Sequence, residues 1–70
     1  MTAKQNKETG KRIYRLRKDA GLTQASLAMK ADLSPNTIAR LERGKHEISN
    51  DSVKKLSKAL GKTPNDILGY

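Results

Sequence analysis

Asn36 and Arg40 lie one helical turn apart in sequence, and each carries a side chain that can make paired hydrogen bonds. The amide of asparagine offers one donor and one acceptor in the pattern that adenine presents, whereas the guanidinium group of arginine can donate twice to guanine. Residues four apart share one face of a helix. The spacing therefore predicts a helix that presents both groups to bases, and Ser34 followed by Pro35 predicts where this helix begins.

A second set of residues is suited to contacts with phosphate. Thr23 is a typical N-cap, and the free amides and positive dipole at a helix start favour an anion, to which Gln24 adds a side-chain donor. Arg43 and Lys45 flank Gly44 at the far end of the following helix. Their positions are typical of phosphate contacts that fix the register of a protein on DNA without reading its sequence.

The element that must position these side chains is a pair of helices over residues 23–43. The two predicted helices are joined only by Asp32 and Leu33. So short a connection prevents antiparallel packing and predicts a steep crossing angle. The pair is therefore a predicted helix-turn-helix, in which the second helix enters the major groove and the first lies across the backbone.

Capping residues and glycines divide the rest of the chain into further short helices, and no segment alternates like a strand. We predict an all-α, compact domain of five helices over residues 11–70, preceded by a flexible basic tail over residues 1–10. The first helix is expected over residues 11–20, the fourth from Ser49 and the fifth from Thr63. The predicted core of the helix-turn-helix comprises Leu27, Ala28, Met29, Ile38 and Leu41. The basic residues expected to add non-specific phosphate contacts are Lys4, Lys7, Lys11 and Arg12.

Composition restricts the classes of function. The 70 residues allow one small domain, and 15 Lys and Arg against 7 Asp and Glu give a net charge of +8, which favours an anionic partner. There is no cysteine, and the only histidine, His46, is expected to be a solvated loop residue. Because no nucleophile stands with a spaced acid and base, we expect no enzyme, metal, cofactor or small-molecule ligand. Lacking a signal peptide and any long apolar run, the chain is expected to be soluble and cytoplasmic.

Four segments that stand in this order, LTQASLA, SPNTIARLERGK, SVKKLSKALG and TPNDIL, resemble the Xre family of lambda-repressor/Cro-like helix-turn-helix proteins. The resemblance covers about residues 12–68. It implies a five-helix domain that binds operator DNA, commonly as a two-fold dimer, and regulates transcription.

The resemblance also implies roles for individual residues. It places base contacts on the start of the third helix, with Ser34 at the rim: Pro35, Asn36, Thr37 and Arg40. It places Gln24 on the DNA backbone and pairs Arg17 with Glu42 as a structural link. One departure is Asp32, where the family usually has glycine; a left-handed aspartate there is expected to cost up to about 1 kcal/mol.

Two questions stay open from the sequence. Ile67, Leu68 and Tyr70 either cover the core or form a dimer interface. The function predicted is a regulator of transcription that binds double-stranded DNA, a repressor acting as a homodimer on an inverted-repeat operator. The alternative is a protein-interaction module, or an antitoxin-type regulator, that uses the same fold to bind a protein. Membrane binding is disfavoured because the chain has no Phe or Trp.

Overall fold

Each helix of this chain begins at a serine or threonine whose side-chain oxygen accepts a backbone N–H from the first turn. The computed structural model describes residues 2–70, with these helices: α1 (Ala3–Asp19), α2 (Gln24–Ala31), α3 (Pro35–Glu42), α4 (Asn50–Leu60) and α5 (Pro64–Leu68). The predicted caps Thr23, Ser34, Ser49 and Thr63 are all present. The all-α prediction is confirmed, since residues 2–70 contain no strand.

The start of α1 differs from the prediction. The helix begins at Ala3 and not at Lys11, so the predicted flexible tail is wrong for residues 3–10, while Met1 lies outside the described residues. A capping box between Thr2 and Gln5 closes its first turn. These added turns carry few apolar side chains, and for this reason the hydrophobic pattern of the sequence did not predict them.

Close backbone packing explains why the early turns of α1 are ordered. Thr9 and Gly10 are buried there. A Cβ on Gly10 would overlap the carbonyl oxygen of Leu41 and lie 2.6 Å from that of Glu42, so only glycine lets α1 approach the end of α3 this closely. The helix start is therefore stabilised by a contact distant in sequence.

The core takes one fully buried aliphatic side chain from every helix, namely Ile13, Leu27, Ile38, Leu56 and Ile67. Met29 does not join them, because it is 83% exposed. The prediction that it is a core residue is wrong: the inner face of α2 is formed by Leu27, Ala28 and Ala31, and a residue two positions after Leu27 points to the opposite side.

The end of α5 is attached to α1. Arg12 Nε donates to Ile67 O at 2.9 Å and one terminal nitrogen donates to Leu68 O at 2.8 Å. Arg12 is thus occupied in capping α5, contrary to its expected role as a free phosphate contact. Ile67 covers the core, Leu68 packs partly against it, and Tyr70 is 87% exposed, so Ile67 cannot serve as the dimer contact that was one of its two predicted roles.

Within residues 2–70, no helix has the length and apolar character required to cross a bilayer.

Candidate nucleic-acid interface

The turn between α2 and α3 is made by Asp32 in the left-handed conformation, with φ of 55°. The N–H of Leu33 donates to Ala28 O at 2.9 Å, which closes the end of α2. Lys55 Nζ lies 3.5 Å from the Asp32 carbonyl oxygen and ties the turn to α4. The left-handed turn predicted from the sequence is therefore formed, with aspartate as the one non-glycine residue of positive φ in residues 2–70.

The rotation of α3 about its axis is fixed by two buried residues. Ile38 is fully buried and Leu41 is 3% exposed, and both face the core. Asn36 and Arg40 consequently lie on the exposed side, one turn apart, as their spacing predicted. Pro35 is also exposed in the first turn.

The cap of α3 restricts two of the predicted site residues. Ser34 Oγ accepts the N–H of Thr37 at 3.1 Å and lies 2.8 Å from Thr37 Oγ1. Both hydroxyl groups are therefore engaged with each other, and Thr37 is half-buried. The methyl group of Thr37 is not involved in this cap.

The start of α2 retains free donors. Thr23 Oγ1 accepts the N–H of Ser26 at 3.0 Å, and Ser26 Oγ accepts the N–H of Thr23 at 2.8 Å. Among the described residues, the backbone N–H groups of Gln24 and Ala25 have no acceptor. These two groups and the helix dipole make the N-terminus of α2 suited to a phosphate oxygen.

Glu42 joins three helices at the rear of this pair. Its Oε2 accepts from Arg17 Nε at 2.6 Å and its Oε1 accepts from Arg17 Nη2 at 3.1 Å, with only 8% and 6% of the two side chains exposed. The hydrogen bond to Glu42 raises the pKa of Arg17, and burial opposes it. The structure thus contains the ion pair that the resemblance implied.

The same carboxylate binds Gln24, for which the sequence predicts only a contact with DNA. Gln24 Nε2 donates to Glu42 Oε1 at 3.1 Å. Arg17 also donates to Leu22 O at 2.9 Å, just before the cap of α2. No local pattern signals the contact between Gln24 and Glu42, because the two residues are 18 positions apart.

The loop after α3 carries Arg43 and Lys45, which are both exposed. Gly44 has φ of 70°, and the N–H of Lys45 donates to Arg40 O at 3.1 Å. A Cβ on Gly44 would lie 2.7 Å from Lys7 Cα, so the early part of α1 rests directly on this loop. In the described part of the chain, neither basic side chain forms an ion pair.

His46 lies in the loop between α3 and α4. His46 is half-buried with Nδ1 unbonded in residues 2–70, which differs from the solvated residue expected. No cluster of three or more His, Asp or Glu side chains in those residues is placed to hold a metal ion.

This geometry has counterparts among known proteins. A helix-turn-helix family model matches residues 13–67, and the chain therefore belongs to the helix-turn-helix family of the Xre, lambda-repressor/Cro-like type. The family consists of DNA-binding regulators, and the chain is a DNA-binding regulator of transcription.

Individual relatives are regulators of several kinds. Control protein C.BamHI of Bacillus amyloliquefaciens is 36% identical over 62 residues, which are 87% of this chain and 76% of that protein. The immunity repressor protein of Bacillus phage phi105 is 38% identical over 60 residues, which are 86% of this chain but only 42% of the repressor.

Solved structures agree with the same assignment. The restriction-modification controller protein C.AhdI from Aeromonas hydrophila has a TM-score of 0.86 at 31% identity, over 89% of this chain and 94% of that one. The clp gene regulator ClgR from Corynebacterium glutamicum has a TM-score of 0.85 at 31% identity, over 91% of this chain and 68% of that one.

Proposed function

We propose that the chain represses transcription by binding an inverted-repeat operator as a homodimer, with α3 in the major groove. The observation that carries the proposal is the pairing of a buried face of α3, Ile38 and Leu41, with an exposed face that holds Asn36 and Arg40. This arrangement fixes the orientation of α3 and directs both side chains, which can pair with bases, to the outside of the domain. The relationship to an immunity repressor supports repression as the outcome.

Base contacts are assigned to the exposed turn of α3. Arg40 donates two hydrogen bonds to a guanine, and Asn36 pairs with an adenine. The ring of Pro35 and the methyl group of Thr37 supply apolar contacts, such as that with a thymine methyl. The hydroxyl groups of Ser34 and Thr37 are engaged in the cap, so Ser34 contributes mainly by fixing the start of the helix.

Phosphate contacts are assigned to the two ends of the pair of helices. At the start of α2, a phosphate oxygen accepts from the free N–H groups of Gln24 and Ala25, where Thr23 acts as the cap. Gln24 donates one amide hydrogen to Glu42, and its second amide hydrogen is free to donate to a phosphate of the DNA backbone. Arg43 and Lys45 contact phosphate beyond the end of α3.

A homodimer would place two copies of α3 in successive major grooves. In a two-fold dimer of this kind the half-sites lie about 34 Å apart, one turn of DNA, and the operator is an inverted repeat. Tyr70, which is exposed, and Leu68, which is partly buried, are the C-terminal side chains available to such an interface.

Selection of bound sequences from a random duplex pool tests the proposal, with affinities measured at two salt concentrations. The expected result is one enriched inverted repeat that is bound at least about 10³-fold more tightly than random DNA. Weak binding without an enriched motif, and with a steep salt dependence, would contradict it. That outcome would favour the protein-interaction module, in which the same fold binds a protein.

A further inference from the structure

A groove of about 430 Å³ lies beside α1, outside the surfaces assigned above to DNA. Its lining residues are Lys11, Tyr14, Arg15, Lys18, Asp19 and Glu42. The first five occupy one broad side of α1, while Glu42 is contributed by the end of α3.

The groove has an excess of positive charge. Lys11, Arg15 and Lys18 are exposed, and within residues 2–70 none of them forms an ion pair. The charge of Glu42 is already balanced by Arg17. Asp19 is thus the one acidic group that offsets three cations, and the groove attracts an anion.

An exposed aromatic side chain stands among these cations. The ring of Tyr14 lies beside one groove cation and the buried Arg17, with Lys18 Nζ 5.9 Å and Arg17 Cζ 5.1 Å from the ring centroid. Tyr14 remains 49% exposed, and its hydroxyl group has no hydrogen-bond partner among the described residues. Lysine, arginine and tyrosine are side chains that bind phosphate oxygens in protein–DNA interfaces.

Glu42 connects the groove with the proposed DNA interface. It lines the groove and accepts a hydrogen bond from Gln24, whose backbone N–H is one of the free donors at the start of α2. Lys11 and Lys18 are separated by seven residues, which is about 10 Å along a helix. Since each strand of DNA carries a phosphate about every 3.4 Å of its axis, the row of cations is long enough for more than one phosphate.

We propose that this groove binds the phosphodiester backbone of the operator duplex just beyond the half-site contacted by α3. The inference rests on the proposed function and adds a separate contact to it. The groove would raise affinity for operators embedded in longer DNA without adding sequence preference, because its cations recognise phosphate alone.

The test compares two duplexes that carry the same selected operator. The short duplex ends at the last base pair of each half-site, and the long one extends about ten base pairs further on each side, which is one helical turn. The groove variant combines Lys11→Gln, Arg15→Gln and Lys18→Gln. The control variant has the same change of charge on exposed lysines elsewhere, with Lys54→Gln, Lys58→Gln and Lys62→Gln.

We expect the wild-type chain to bind the long duplex on the order of tenfold more tightly than the short one, and the groove variant to lose this difference. Its plot of log affinity against log salt should become shallower by about 2 to 3 units for each bound copy on the long duplex and stay unchanged on the short one. The control variant should retain the preference for the long duplex. Tyr14→Phe, which keeps the ring and removes the hydroxyl group, should lose a smaller part of it.

Equal losses for the groove and control variants on both duplexes would overturn the inference, because they would reflect net charge alone. Unchanged binding of the long duplex by the groove variant would overturn it as well, and would leave an acidic protein segment as the competing occupant. Both results preserve specific binding of the operator. Failure of the proposed function is distinguishable, since the wild-type chain would then bind neither duplex specifically.

Discussion

Arg40 and Lys45 carry the same charge five positions apart, but the fold presents them differently. Arg40 projects from a helix whose rotation is fixed by the buried Ile38 and Leu41, whereas Lys45 lies in the loop after that helix. A guanidinium carried on an oriented helix can donate two hydrogen bonds to one base, while an ammonium in a loop recognises charge.

We expect Arg40→Ala to cost about 1–3 kcal/mol on the selected operator and to relax the preference at one base pair. Lys45→Ala should weaken all sequences to a similar extent and lower the salt slope by roughly one unit. Titrations against the operator, its single-base variants and random DNA measure both effects. Equal losses of Arg40→Ala on operator and random DNA would disprove its base contact.

Glu42 contributes more directly to the folding stability of the domain than to DNA binding. It compensates the buried charge of Arg17 and accepts from Gln24. Removing one member of a buried ion pair typically costs about 3–5 kcal/mol, whereas replacing both by apolar residues costs much less. We therefore expect Glu42→Leu to lower the free energy of unfolding far more than the double variant Arg17→Met, Glu42→Leu, as measured by urea denaturation. Similar losses in the two variants would show that the charge is not the cause.

At the scale of elements, the turn between α2 and α3 is held by an aspartate where the backbone favours glycine. Asp32 has φ of 55°. Asp32→Gly should therefore stabilise the fold by up to about 1 kcal/mol, less the entropy that glycine adds to the unfolded chain, while Asp32→Ala should destabilise it. Because Lys55 contacts the backbone carbonyl of Asp32, this contact is retained in both variants. Thermal unfolding of the three chains provides the measurement, and a gain in Asp32→Ala would contradict the argument.

The contact of α1 with the loop after α3 offers a second comparison between elements. Gly44 and Gly21 have nearly the same φ, 70° and 72°, but a Cβ would meet Lys7 only at Gly44 and nothing within 4 Å at Gly21. Gly21→Ala should cost about 1 kcal/mol for the backbone alone. Gly44→Ala should cost about 1–3 kcal/mol more, because it also forces α1 away from the loop.

The same pair of variants should differ in binding. If α1 positions the loop of Arg43 and Lys45, Gly44→Ala weakens DNA binding beyond its effect on folding, and Gly21→Ala does not. Denaturant titrations and operator affinities at a temperature where both variants are folded test this. Equal effects of the two variants on stability and affinity would show that the contact with Lys7 does not matter.

What the sequence predicted, and what it did not, follows the range of the interactions. The starts of α2 to α5 depend on caps within the first turn of each helix, so they could be predicted from Thr23, Ser34, Ser49 and Thr63. The early turns of α1 depend on packing with residues more than thirty positions later, so they could not be predicted from the local sequence. The exposed face of α3 followed from its period, but the hydrogen bond of Gln24 to Glu42 and the cap that Arg12 gives to α5 are long-range contacts without a local signal.

At the scale of the whole molecule, the domain carries one set of the side chains proposed to read bases, Asn36 and Arg40, and a net charge of +8. A single copy of α3 contacts only a few base pairs, and the positive charge of the domain favours binding to DNA of any sequence. Two linked copies make the second binding event effectively intramolecular, which raises affinity for a site with both halves over random sequence. The proposed homodimer would thus supply specificity that one copy lacks.

Tyr70 is the best residue with which to test the proposed association of two copies. It is 87% exposed, and Met29 on α2 is nearly as exposed, at 83%, so Met29→Ala provides a matched loss of exposed apolar surface. Aromatic residues are frequent hot spots of interfaces, and their truncation commonly costs more than about 1 kcal/mol. Tyr70→Ala should raise the dimer dissociation constant on the order of tenfold, measured by sedimentation, whereas Met29→Ala should leave it unchanged.

The consequence for DNA distinguishes a dimer contact from a general effect on folding. Tyr70→Ala should weaken binding to the full inverted repeat and make the cooperative binding of two copies less steep. Its affinity for an isolated half-site should stay the same. The contacts proposed for one half-site come from α2, α3 and the loop after α3, all of which are remote in sequence from Tyr70. Equal losses on the half-site and the full repeat would place the effect of Tyr70 in the domain itself, and the symmetric contact would have to be sought on another face.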